Sequence, residues 1–101
     1  MNDATKEILS TYDMDTLKEI ADHGCGSGVC SQHIYYGDTL EFYDNYEDEI
    51  VEYIRDNYGT EFLVDLFKDA DADLTTYKNN VTWCFIEMIA FEETEALLQP
   101  A

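Results

Sequence analysis

Two thiols and two imidazoles fall within one short run, His23-Gly24-Cys25-Gly26-Ser27-Gly28-Val29-Cys30-Ser31-Gln32-His33. These are the donors zinc prefers, but His-x-Cys followed four residues later by Cys-x-x-His matches no common finger spacing. A Cys/His pair can also serve as a nucleophile with its base. Here the surrounding carboxylates raise a thiol's pKa, and neither an oxyanion hole nor a third orienting group is marked. The glycines superficially resemble a phosphate-cradling loop, yet no strand precedes them and no lysine follows. The reading taken is therefore a glycine-rich helix-to-helix turn with Cys25 or Cys30 packed as a small apolar group. Asp69, Asp71 and Asp73 alternate as calcium ligands do, but the run lacks the turn glycine and the closing glutamate. No metal and no cofactor is assigned.

The other chemistry is plain charge. Between Gly37 and Gly59 the sequence reads as one helix, Asp38–Tyr58, with Asp38 and Glu41 as a capping-box variant and Gly59 ending it. On a 3.6-residue period Tyr43, Tyr46, Ile50, Tyr53, Ile54 and Asn57 share one side. Glu41, Asp44, Asp48, Glu52 and Asp56 share the other. Successive carboxylates then rise roughly 4.5–6 Å per step, against about 3.4 Å per phosphate along a DNA strand. The charge density is similar even though the spacing is not copied, so a rigid column of this kind suits a Lys/Arg groove made for nucleic acid. The bland alternative is a merely solvated face, and acidic surfaces also occur in proteins of saline cytoplasm.

Those residues need elements to hold them. The 101 residues suit one domain large enough to bury a single core. Asp and Glu number 23 against 5 Lys and Arg, a formal charge of -18, while hydrophobic residues reach 46% and aromatics 14%. An acidic disordered tail is poor in both, so the chain is a folded, self-repelling domain. Such charge opposes direct binding to nucleic acid or anionic lipid and favours basic surfaces. With no leader-like start, no apolar run able to span a bilayer and an odd set of three cysteines, the expectation is a cytoplasmic protein with reduced thiols. A first helix capped by Asn2 or Asp3 runs to about Ser10, and a second starts at Asp13 or Thr16, with Thr16 and Glu19 as a capping-box pair. VCSQHIYY reads as a short helix. Thr60 to about Asp69 buries Phe62, Leu63, Leu66 and Phe67. The last helix, about Leu74–Leu97, is the central core helix through Tyr77, Val81, Cys84, Phe85, Met88, Ile89 and Phe91. The fold class is all-α, a compact single domain of four to five helices with a glycine-rich loop.

At HGCGSGVCSQHIYYGDTLEFYDNYEDEI, His23 to Ile50, and at NNVTWCFIEMIAFEE, Asn79 to Glu93, the chain resembles a family of small bacteriophage proteins described only as a domain of unknown function. The residues carrying the resemblance are His23, Gly24, Cys25, Ser27, Gly28, Ser31, Ile34, Tyr35, Tyr36, Asp38, Thr39, Phe42 and Tyr43, then Trp83 and Glu92. Cys30 and His33 fall outside the shared pattern, which weakens a four-ligand metal site. The resemblance brings no activity. It implies a phage or prophage setting, where small acidic proteins often look like inhibitors of restriction enzymes and CRISPR effectors.

The functional expectation is a non-enzymatic inhibitor that docks Glu41, Asp44, Asp48, Glu52 and Asp56 on the basic surface of a nucleic-acid-binding host defence complex. It contacts neither nucleic acid nor membrane directly. The alternative is a structural or regulatory interaction module working through His23, Gln32, His33, Tyr35 and Tyr36, with acidity serving solubility. A third reading, a zinc-binding or Cys-dependent enzyme, requires bound metal or a reactive Cys25. Monomer and homodimer both stay open.

Overall fold

The computed structural model describes residues 3–23 and 36–98, which form five helices and no strands among the described residues. These are α1 (Asp3–Thr11), α2 (Met14–His23), α3 (Tyr36–Tyr58), α4 (Thr60–Asp69) and α5 (Leu74–Leu98). The all-α expectation holds, while the glycine-rich loop and, except for Tyr36, the short helix expected over VCSQHIYY lie outside the described residues.

α5 is the central element, packed most extensively against α3 and α2. Its buried residues, Asn79, Val81, Thr82, Phe85, Ile86, Ile89 and Ala90, fall on more than one side of the helix, as suits an element covered by several neighbours. α4 packs against both α3 and α5, and α1 touches the same two. One apolar cluster draws on all five helices: Ala4 and Ile8 from α1, Leu17 and Ile20 from α2, Tyr43, Ile50 and Ile54 from α3, Leu63 from α4, and the α5 stripe. Two residues expected inside lie further out, Phe91 at 56% exposed and Phe67 at 38%. A helical period places a residue on a side, but only the neighbouring helices decide how far that side is covered.

The helix ends follow capping chemistry. Asp13 Oδ1 accepts the Thr16 amide at 2.8 Å, so Asp13 starts α2 and Thr16 lies inside its first turn. Gly59, at φ +91°, ψ 162°, joins α3 to α4 in a conformation essentially reserved for glycine, and its N–H closes α3 on the Arg55 carbonyl at 2.8 Å. The Asp69–Asp73 run is a tight turn in which Asp71 and Ala72 both adopt positive φ. Asp73 then caps α5, its carboxylate accepting the Thr76 amide at 3.0 Å and the Thr76 hydroxyl at 2.6 Å. Those bonds hold the Asp73 carboxyl below its usual range.

α3 departs from expectation at two places. It begins at Tyr36, so Gly37 and Asp38 lie within its first turn and Asp38 with Glu41 is not its cap. An acidic residue in a first turn is favoured by the helix dipole without capping, which is why the sequence signal is ambiguous. The helix is also not straight. Tyr46 (φ −129°, ψ 25°) breaks it into two segments, although neither proline nor glycine lies there.

Candidate functional site

The acidic face is positioned by what lies behind it. Tyr43, Ile50 and Ile54 are buried against α5 and its neighbours, and Tyr46 and Tyr53 are half-buried. Edge-on contact of the Tyr53 and Phe85 rings (centroids 5.3 Å apart) ties the second segment of α3 to the central helix. In the first segment, the Phe42 and Tyr46 rings lie 5.0 Å apart and Phe42 meets Phe85 at 6.4 Å. Below these rings sits a small polar bridge: the Thr39 hydroxyl donates to Asn79 Oδ1, and the Thr82 hydroxyl donates to the Thr39 carbonyl at 3.3 Å. All three residues are buried, so α3 is registered on α5 by hydrogen bonds as well as by apolar packing.

With that side fixed, Glu41, Asp44, Asp48, Glu52 and Asp56 are all exposed. The break at Tyr46 divides them, placing Glu41 and Asp44 on one segment and Asp48, Glu52 and Asp56 on the other. The single straight column expected from periodicity is therefore two short acidic rows. Asp44 has a cation of its own: Lys78 on α5 reaches it at 2.9 Å and lies 5.6 Å from the centre of the Tyr43 ring. Among the described residues this is the ion pair that α3 makes, so the negative charge of the face is little compensated.

Two neighbours of the column have structural duties. Glu49, between Asp48 and Ile50, accepts the Ala4 amide at 2.8 Å through Oε1 and the Thr5 amide at 3.2 Å through Oε2. It thus supplies the anion at the N-terminus of α1, where free N–H groups and the helix dipole favour one. This anion comes from α3, a source that local sequence does not suggest; of the two expected caps, Asp3 is the first residue of α1 and Asn2 lies outside the described residues. Tyr53 donates to the Glu92 carboxylate on α5. Its phenol is held well above the usual range, by burial first and then by that carboxylate. Tyr43 shows the same direction through burial, with Tyr77 and Glu47 adding to it. Both tyrosines stay neutral across the physiological range and act as packing and hydrogen-bonding posts behind the charge.

Of the second set of expected contact residues, Gln32, His33 and Tyr35 lie outside the described residues, as do Cys25 and Cys30. His23 ends α2 and Tyr36 begins α3. Among the described residues no group of three or more His, Cys, Asp or Glu side chains is arranged to hold a metal ion. None of the described helices is long and apolar enough to cross a membrane. What α3 presents chemically is an array of carboxylate acceptors, suited to lysine and arginine donors.

No curated protein and no solved structure matches the chain. The family model of a domain of unknown function, DUF7222, matches residues 1–98, so the chain belongs to that family.

Proposed function

We propose that this chain is a non-enzymatic, phage-type inhibitor that presents the acidic side of α3 to a basic, nucleic-acid-binding surface of a host defence complex in the host cytoplasm. The observation that carries the reading is the two-sidedness of α3: its aromatic and aliphatic side is locked into the core while Glu41, Asp44, Asp48, Glu52 and Asp56 all face outward. A net charge of -18 adds long-range attraction to any Lys/Arg channel and repels nucleic acid itself. The bend at Tyr46 sets two rows at an angle, which suits a curved channel better than a flat one. Fixed carboxylates on a folded helix also lose less entropy on docking than a disordered acidic tail.

The test neutralises the five carboxylates together, Asp to Asn and Glu to Gln. Exposed charge pairs contribute about 0.2–1 kcal/mol each, so five predict a loss of about 1–5 kcal/mol, roughly fivefold in affinity or more, with the helical spectrum and melting point retained. Partners are captured from host lysate at two salt concentrations, then purified and challenged with duplex DNA. The reading expects binding that weakens as salt rises and competes with DNA. Unchanged capture by the five-site variant, or DNA and this protein bound together without competition, refutes it.

A further inference from the structure

A groove of about 630 Å³ opens between the second segment of α3, the start of α4 and the C-terminal half of α5. This is within the ~300–1,000 Å³ range of sites that enclose sizeable ligand groups. Its floor is apolar: Phe62 and Met88 are half-buried, and Tyr58 and Phe91 line it while remaining 55% and 56% exposed. Tyr58 stacks on Phe62 with centroids 5.0 Å apart and planes at 30°, leaving a large aromatic surface at the mouth. The charged side chains on its lining are Glu87, Glu92 and Glu95, with no lysine or arginine among the described residues there.

We infer that this groove is a second docking site, distinct from the acidic rows of α3, and that its occupant is a basic amphipathic helix of a partner protein. An apolar floor calls for leucine-like side chains at i, i+3, i+4 and i+7, the spacing that anchors a helix in a groove. A glutamate rim calls for arginine or lysine flanking those anchors, and a guanidinium also stacks on an aromatic face such as that of Tyr58. A second copy of this chain fits poorly, because two surfaces of a -18 protein would meet glutamate on glutamate. An anionic bilayer is repelled for the same reason.

The probe is a synthetic helix with leucines on that spacing and arginines elsewhere, titrated at about 0.15 M salt, where the screening length is about 8 Å. Two comparison peptides keep the arginines but replace leucine by serine, or keep the leucines but replace arginine by glutamate. The Arg/Leu helix alone shifts the Met88 methyl and Phe91 ring signals in NMR spectra, and Phe91→Ala or Tyr58→Ala weakens it roughly tenfold or more. Both side chains are over half exposed, so these variants keep the fold, which their melting curves verify. The variant neutralised at Glu41, Asp44, Asp48, Glu52 and Asp56 retains the Met88 and Phe91 shifts, which separates this site from the acidic rows. Groove shifts that are equal with the serine peptide, appear with the glutamate peptide, or survive Phe91→Ala overturn the proposal. So does concentration-dependent self-association abolished by Phe91→Ala, which assigns the groove to a second copy.

Discussion

Glu49→Ala separates a carboxylate that builds the fold from those that merely face water. Glu49 accepts two amides from the first turn of α1, at 2.8 and 3.2 Å, one on each oxygen. Losing an N-terminal cap costs about 0.5–2 kcal/mol, and losing an anion at the helix dipole about 0.3–1 kcal/mol. Together they predict about 2 kcal/mol. The ceiling is higher, because detachment of α1 would also expose Ile8, now 1% exposed, at a further ~1.5–3 kcal/mol. For a chain of this size, 2 kcal/mol lowers the melting temperature by roughly 8–16 °C. Glu49→Gln should fall between, since its amide keeps one acceptor oxygen and turns an NH2 toward the second amide. Removing any carboxylate also relieves self-repulsion, so the reference is Asp48→Ala, which deletes an exposed neighbour. Thermal melts of the three variants give the energies, and hydrogen exchange at Ala4 and Thr5 locates the loss. A Glu49→Ala melting point within about 2 °C of that of Asp48→Ala, with exchange protection unchanged, refutes the reasoning.

Asn79→Ala removes the buried acceptor of the Thr39 hydroxyl and should cost about 1–3 kcal/mol in urea unfolding, with coupling to Thr39→Val in a double-mutant cycle. Independent, additive effects would mean that the bond does not register α3 on α5. Burial holds the Tyr43, Tyr53 and Tyr77 phenols above their usual range. Raised phenols favour the neutral form in the fold, so this stability is complete below the unfolded value near 10 and is lost as pH rises beyond it. In an ultraviolet titration these three should ionise only together with loss of helix; ordinary ionisation of all eight tyrosines in an intact helical protein contradicts this. The Cys84 thiol, pushed up to about 11 by burial first and then by Glu87, carries roughly one-hundredth of the ordinary thiolate at pH 8. Peptide mapping after alkylation should show Cys84 modified about 100-fold more slowly in the native than in the urea-unfolded protein, and equal rates would refute its shielding.

How much of this was legible beforehand depends on the range of the interaction. Apolar residues three and four apart placed α4 over Thr60–Asp69 and α5 to within a residue of its end, because helical periodicity is a local property. The same period put Tyr43, Ile50 and Ile54 inside and the five carboxylates outside. Gly59, and Asp13 as one of two candidate starts of α2, were readable as punctuation, since a cap or a positive-φ glycine acts within a turn of its own position.

Glu49 was not legible: its amide partners lie 44 and 45 residues away, and in a chain with 23 acidic residues nothing local distinguishes it from Asp48. Nor was the bend at Tyr46, where the usual kink-forming residues are missing. The exposure of Phe91 and its grouping with Tyr58 and Phe62 likewise depend on which helices cover that end of α5. By itself the sequence determined the helices, their sidedness and the sign of the surface, all set by short-range spacing and composition. Tertiary packing alone decided which carboxylate holds a helix and which aromatic side chains remain uncovered, because both depend on groups that only the folded chain brings together.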